Sequence, residues 1–180
     1  MNVCRSLEKI EIEYGPISIL KDISELSNLK VLKLDYIDKN DSDNQNIREF
    51  FNTFNLENMK DLAIRYMDIS LEQLAILASR DCPKLKHVCL RGCEKLKIDY
   101  EILKRMILNF PQIKGIHVAF TIIEITDEQL YQLMEQSGVT IGVGFTRGLQ
   151  FKKYLKYQVP GSCQKYSDPM LCDFCKLNMF

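Results

Sequence analysis

Three side chains in the middle of the chain have the types and spacing of metal ligands. His87 and Cys89 are two residues apart, and His117 follows further along the chain. Imidazole nitrogen and thiolate sulfur are ligands that Zn²⁺ prefers, and three protein ligands would leave one position open. No nearby carboxylate is obvious as a fourth ligand or a base. We therefore expect three polar residues on a strand surface and keep the metal site as an alternative.

Three of the seven cysteines lie in the C-terminal segment. Cys172 and Cys175 have the spacing of half a zinc knuckle, but only Cys163 accompanies them and no histidine does. Free thiols are the expectation, and a metal shared between two chains is the alternative. The oxygen-rich stretch 38–49 follows the spacing of a calcium loop, but Asp43 stands where the sharp turn needs glycine. We interpret that stretch as a polar loop.

Motifs typical of enzymes are missing from the sequence. Gly142, Gly144 and Gly148 do not have the spacing of a dinucleotide-binding loop. The sequence contains no phosphate loop of the GKS or GKT type, no HExxH and no GxSxG. We therefore expect no enzymatic activity and no cofactor.

Composition and charge argue against several classes of function. The 24 Lys and Arg residues balance 24 Asp and Glu, so a general basic nucleic-acid binder is not expected. The N-terminus becomes charged at Arg5 and Glu8 without the apolar region of a signal peptide, and no run of about 18 apolar residues predicts a transmembrane helix. We expect a cytoplasmic or nuclear protein with no nucleic-acid or membrane partner.

The elements that position these residues are predicted by an internal repeat. An apolar residue is followed by a second one three positions later and by a third after two more. The pattern occurs at Leu7/Ile10/Ile12, Leu29/Leu32/Leu34, Met59/Leu62/Ile64, Leu85/Val88/Leu90 and Ile113/Ile116/Val118, with a weaker form at Val139/Ile141/Val143. Alternation of apolar and polar residues predicts a short strand in each unit.

Helix-period apolar faces lie between these strands. The faces comprise Ile47/Phe50/Phe51/Phe54, Leu71/Leu74/Ala75/Leu77/Ala78, Ile102/Leu103/Met106/Ile107/Phe110 and Leu130/Leu133/Met134. Capping boxes are predicted at Ser70 and Thr126, each with Gln three residues later, and Asp99 is predicted to cap a helix. Pro83 and Pro111 are predicted to stop the helices that precede them.

A strand and a helix that return every 26 to 28 residues or so predict an α/β solenoid, because one unit cannot bury its apolar side alone. The chain resembles the leucine-rich repeat family. Residues 82–97, which include Cys82 and Cys93, look like the cysteine-containing repeat subtype of F-box receptors. This subtype is similar to the repeats of ribonuclease inhibitor. The turn into the helix at 125–130 is similar to that subtype. The resemblance covers roughly residues 5 to 145.

The resemblance implies a short right-handed horseshoe of five to six coils, with a parallel sheet on the concave side and helices on the convex side. In this family the position three after the last strand residue is usually Asn, Cys or Thr, which Cys93 and Thr121 match. Gly15, Ile37 and Met67 depart from it. No F-box-like helical segment precedes Leu7.

The domain boundaries follow from the repeat and the charge. Residues 1–146 form the predicted leucine-rich repeat domain with net charge −4, and residues 147–180 form a basic, cysteine-containing cap or tail with net charge +4.

The resemblance implies a protein-binding module whose partner contacts the concave face. Strand alternation places these side chains there: Lys9, Glu11, Glu13, Val31, Lys33, Asp35, Asp61, Ala63, Arg65, His87, Cys89, Arg91, Gly115, His117 and Ala119. We single out Lys33, Asp35, Asp61, Arg65, His87, Cys89, Arg91 and His117 as the protein-binding residues.

Three functions remain open at this point. The first is substrate recognition related to the F-box receptors of SCF ubiquitin ligases, which would require a cullin-ligase adaptor and an F-box supplied elsewhere. The second is a scaffold or inhibitor without ubiquitin chemistry. The third is the metal site at His87, Cys89 and His117.

Overall fold

The computed structural model describes residues 6–37, 44–93, 95–118 and 121–143. Strands and helices alternate along these residues. Their bounds are β1 Lys9–Gly15, α1 Ile19–Ser24, β2 Val31–Ile37, α2 Asn44–Thr53, β3 Asp61–Arg65, α3 Leu71–Ala78, β4 His87–Cys89, β5 Lys97–Asp99, α4 Tyr100–Asn109, β6 Gly115–His117, β7 Ile122–Glu124, α5 Asp127–Ser137 and β8 Thr140–Gly142.

Six of the strands form one parallel sheet in the order β1-β2-β3-β4-β6-β8, and β5 pairs with β7 in a separate parallel sheet. The middle apolar residues of the six predicted units stand directly opposite one another. They are Ile10, Leu32, Leu62, Val88, Ile116 and Ile141. The prediction of an α/β chain with alternating units and a parallel sheet is confirmed.

One apolar cluster holds the sheet and the helices together. Leu32 and Leu62 from the sheet are buried with Leu20 of α1 and Leu74 of α3. The apolar side of every helix therefore faces the same core as the apolar side of the strands, which is what the two periodicities require.

The predicted helix starts are confirmed in atomic detail. The hydroxyl of Ser70 accepts a hydrogen bond from the Gln73 amide (3.2 Å), and the Gln73 side chain accepts one from the Ser70 amide (2.8 Å). Thr126 and Gln129 repeat the arrangement at 3.2 and 3.0 Å. A carboxylate oxygen of Asp99 accepts a hydrogen bond from the amide of Ile102 at 2.8 Å. These contacts satisfy amide groups that a helix leaves unpaired at its start.

Helix ends are closed by side chains from the next unit. The guanidinium Nη1 of Arg80 donates to the carbonyl oxygens of Phe51 (2.9 Å) and Phe54 (2.6 Å) at the end of α2. The amide of Asn109 donates to the carbonyl oxygen of Ala78 (2.7 Å), the last residue of α3. Neighbouring units are thus joined on the helical side as well as in the sheet.

Three elements were not expected from the sequence. Helix α1 has six residues, which is too short for a repeating apolar face, and only Leu20 and Ile23 are buried in it. Strands β5 and β7 have three residues each, too few for alternation to be recognised. They extend the segments that lead into α4 and α5.

Several sequence-based expectations concern residues outside the described part of the chain. These are the C-terminal cap or tail at 147–180 with its three cysteines, Ala119, and residues 38–43 of the predicted polar loop. Residues 44–49 of that stretch are described, and they form the start of α2 instead of a loop. Among the described residues, no helix is long and apolar enough to cross a membrane.

Replacing Arg80 by Met should lower the free energy of unfolding by about 2 kcal/mol, because the end of α2 loses two charge-assisted hydrogen bonds. The matched control is Arg105→Met, an exposed position in α4 where we expect a change within about 0.5 kcal/mol. Urea unfolding monitored by circular dichroism measures both. Equal losses in the two variants would contradict the capping role of Arg80.

Candidate functional site

One side of the six-stranded sheet carries the side chains that point away from the apolar core, and we call it the polar face. It comprises Lys9, Glu11, Glu13, Val31, Lys33, Asp35, Asp61, Ala63, Arg65, His87, Cys89, Gly115, His117, Thr140 and Gly142. It contains most of the residues that the sequence predicts to bind a protein.

The first junction of the polar face, between β1 and β2, is closed by an ion pair. The ammonium group of Lys33 lies 2.5 Å from a carboxylate oxygen of Glu11, its direct cross-strand neighbour, and Lys9 approaches the same oxygen at 3.1 Å. The hydrogen bond from Lys33 lowers the pKa of Glu11, although partial burial opposes that effect. Lys33 is only 6% exposed, so its charge is neutralised within the sheet.

The second junction, between β2 and β3, holds a two-point ion pair. Two nitrogens of the Arg65 guanidinium donate to Asp35, Nε to Oδ1 at 2.6 Å and Nη2 to Oδ2. The two residues are opposite one another in register, and both side chains are largely buried. The planar guanidinium matches the carboxylate, which makes this geometry specific.

Histidines form the cross-strand contacts at the third junction, between β3 and β4, and at the fourth junction, between β4 and β6. Nδ1 of His87 lies 2.7 Å from Oδ1 of Asp61, and Nδ1 of His117 lies 3.6 Å from Sγ of Cys89. Each ring also covers a glycine of the next strand. A Cβ added at Gly115 would meet His87 at 3.4 Å, and one added at Gly142 would meet His117 at 2.9 Å.

The structure does not gather the three candidate metal ligands. His87 is held by Asp61 on the strand before it, whereas Cys89 is in contact with His117 on the strand after it. No group of three or more His, Cys, Asp or Glu side chains within the described ranges could hold a metal ion. A shared face is therefore insufficient to form a site, because each side chain has a cross-strand partner of its own.

The eight residues predicted to bind a protein differ in their exposure and in their partners. Lys33 and His117 are buried and Cys89 is fully buried, so these three are not accessible to a partner. Asp35 and Arg65 bind each other. Asp61 and His87 are partly exposed, and Arg91 lies beyond β4, where it approaches an aromatic ring.

An exposed aromatic surface lies next to the polar face, where the first three strands end. Tyr14, Tyr36 and Tyr66 follow Glu13, Asp35 and Arg65, and their rings stack in one row, which we call the tyrosine row. The ring centroids of Tyr14 and Tyr36 are 5.1 Å apart at 13°, and those of Tyr36 and Tyr66 are 4.3 Å apart at 1°. Burial in the middle of the row, with Tyr66 and Asp35 nearby, raises the pKa of Tyr36.

The backbone of the tyrosine row is strained. Tyr14, Tyr36 and Tyr66 have φ values of 62°, 50° and 56°, a region that costs a non-glycine residue about 1–2 kcal/mol. In a regular strand each tyrosine side chain would point into the apolar core, like the apolar residue two positions before it. The positive φ instead turns the side chain outward, and Tyr14 is 69% exposed and Tyr36 42% exposed.

The inner end of the tyrosine row, at Tyr66, contacts the residues that follow β4. Gly92 occupies the position of the tyrosines, also with positive φ (73°), and a Cβ there would lie 2.2 Å from the Tyr66 ring. The guanidinium carbon of Arg91 lies 5.9 Å from the centre of that ring. Glycine is required at this point both by its backbone angle and by the ring that covers it.

The tyrosine row could have been found from the sequence. Each tyrosine stands two residues after the last apolar residue of its unit, at Ile12, Leu34 and Ile64. The alternation that predicts the polar face ends one residue before each tyrosine, so it does not predict this row.

The described cysteines have structural roles. Cys82, Cys89 and Cys93 are buried thiols, and burial raises the pKa of Cys82 to about 12, so its reactive thiolate form is suppressed. Cys93 Sγ donates to the carbonyl of Ile64 (3.5 Å), and Thr121 Oγ1 donates to that of Val118 (2.6 Å). Both side chains satisfy backbone carbonyl groups in the turns.

Comparison with models of known protein families gave no match, and comparison with curated proteins gave none either.

The Asp35–Arg65 pair should show strong energetic coupling. In a double-mutant cycle with Asp35→Ala and Arg65→Ala, we expect an interaction energy of about 2 kcal/mol, because both partners are largely removed from water. The control pair is Lys97 and Glu124, 3.5 Å apart and exposed, for which we expect less than about 1 kcal/mol. Urea unfolding provides all the values, and equal coupling in the two cycles would refute the assignment.

Gly92→Ala should destabilise the protein more than Gly138→Ala. Both glycines have positive φ, but a Cβ at Gly138 meets nothing within 4 Å. We expect a loss of about 1 kcal/mol at Gly138 from backbone strain and about 3 kcal/mol or more at Gly92, where the Tyr66 ring must also move. Urea unfolding measures the free energy of unfolding of both variants. Similar losses in the two variants would show that the Tyr66 ring does not rest on Gly92.

Proposed function

We propose that this chain is a short leucine-rich-repeat solenoid that acts as a protein-binding module. The observation that carries the proposal is the tyrosine row, an exposed aromatic surface held in a strained backbone beside a charged sheet face. Strain of this kind persists where the surrounding structure enforces it and is concentrated at functional positions. Tyrosine is also among the side chains most enriched at protein interfaces.

The surrounding charges support a protein partner. Lys9, Glu11 and Glu13 on β1 are exposed, whereas the predicted binding residues deeper in the sheet are occupied with each other. The binding surface in this proposal therefore lies toward β1 and β2 and along the tyrosine row. The paired residues Lys33, Asp35, Arg65, Cys89 and His117 hold the strands that present it.

Ubiquitin-ligase substrate recognition and a scaffold or inhibitor role both use such a surface. Support for the first comes from the resemblance of residues 82–97 to F-box receptors, and support for the second from the surface alone. We favour the broader function of partner binding without enzymatic chemistry. A purified cullin-ligase adaptor separates the two roles: recovery of the adaptor with the full chain supports the ligase role, and its absence supports the scaffold.

Removing the two exposed rings of the tyrosine row should abolish partner binding while leaving the fold intact. We expect the double variant Tyr14→Ala/Tyr36→Ala to lose at least about tenfold in recovery of specific partners from a cell extract, since interface aromatics commonly contribute more than 1 kcal/mol each. Quantitative mass spectrometry of immobilised protein measures the recovery, and circular dichroism checks the fold.

The matched control for this experiment lies on the helical side. Leu71 and Leu108 are 38% and 71% exposed, and the variant Leu71→Ala/Leu108→Ala should recover the same partners as the original chain. If no protein depends on the tyrosines, or if the control removes the same proteins, the proposed surface is wrong.

A further inference from the structure

The outer end of the tyrosine row has the chemistry of a guanidinium site. The row runs across three strands, and its inner end rests on Gly92 with Arg91 near the Tyr66 ring. Its outer end is Tyr14, the most exposed of the three. Among the described residues β1 is an edge strand of the sheet, so the row ends there on an aromatic ring that is open to solvent.

An acidic residue immediately precedes Tyr14 in the chain. Glu13 precedes Tyr14 on β1 and is exposed. In register, Glu13 stands opposite Asp35, and Asp35 stands opposite Arg65. Two carboxylates therefore stand side by side on neighbouring strands, an arrangement that is unfavourable unless a cation lies near each.

Only one of these two carboxylates has its cation within the described ranges. Asp35 is bound at two points by Arg65, whereas Glu13 forms no ion pair with any described residue. A cation placed beyond β1 would complete the row of charges. The same cation would reach the open face of Tyr14, because Glu13 and Tyr14 are adjacent.

We propose that Tyr14 and Glu13 bind the guanidinium group of an arginine side chain in a peptide segment of the partner. This inference rests on the proposed function and names the partner's chemistry. A guanidinium is planar, stacks on an aromatic face and binds a carboxylate through two parallel hydrogen bonds. An ammonium group attracts the ring and the carboxylate as a point charge but has no planar group to stack or to bond in parallel. The protein uses both contacts itself, with Arg91 at Tyr66 and Arg65 at Asp35.

The site should prefer arginine to lysine and should depend on the ring. The probe is an acetylated, amidated peptide of four Gly-Arg repeats, with matched peptides that carry lysine or the neutral isostere citrulline instead. We expect binding of the arginine peptide to be about threefold tighter than that of the lysine peptide and at least about tenfold tighter than that of the citrulline peptide. NMR titration of the full chain at constant ionic strength measures the dissociation constants.

Variants locate the binding on the structure. Tyr14→Ala and Glu13→Gln should each weaken the arginine peptide about three- to tenfold, whereas Tyr14→Phe, which keeps the ring, should stay within about twofold. Tyr131→Ala is the matched control, since Tyr131 is 41% exposed on α5 and should have no effect. Thermal unfolding confirms that each variant is folded.

Three results would overturn the inference: no detectable binding of the arginine peptide, equal affinity for arginine and lysine, or no loss with folded Tyr14→Ala. If partner recovery still depends on Tyr14 and Tyr36 while the arginine peptide fails, the protein-binding function stands and its partner contacts the row differently. If neither depends on the tyrosines, both proposals fail.

Discussion

The register between neighbouring parallel strands is the constraint on which the other features depend. No hairpin turn sets it, because each strand is reached through a longer connection. The apolar row from Ile10 to Ile141 sets it instead, since a slip by one residue would exchange the apolar and charged sides of a strand. The cross-strand pairs of the polar face and the stacking of the tyrosines exist only in this register.

Much of the architecture could be predicted from the sequence because burial imposes a period. The spacing of Leu7, Ile10 and Ile12 and its later repetitions predicted the six strands of the main sheet, and Ser70, Asp99 and Thr126 marked three helix starts. Helix α1 and strands β5 and β7 were missed because six or three residues are too few to show a period. The sequence also did not predict that Arg80 and Asn109 bond to carbonyl groups of the preceding helix. These contacts join neighbouring units on the helical side of the protein.

The candidate site was harder to predict than the fold. Alternation placed His87, Cys89 and His117 on one face, but alternation does not say which neighbour a side chain contacts. Here both histidines contact the strand before their own, so His117 meets Cys89 whereas His87 meets Asp61. Nor does composition reveal that Lys33 is buried against Glu11. The tyrosines were unexpected because positive φ is unusual for an aromatic residue, and only the stack of neighbouring rings explains why three successive units adopt it.

The cross-strand pairs of the polar face also specify the order of the units along the chain. The apolar core joins neighbouring units through one kind of contact, since every unit contributes aliphatic side chains at the middle of its strand. Four of the five junctions of the face, however, each have their own chemistry: carboxylate with ammonium at Glu11 and Lys33, carboxylate with guanidinium at Asp35 and Arg65, carboxylate with imidazole at Asp61 and His87, and thiol with imidazole at Cys89 and His117. A rearranged or duplicated unit would keep its core contacts and lose its partner on the face. The features that distinguish one unit from its neighbours therefore lie on the charged side of the sheet.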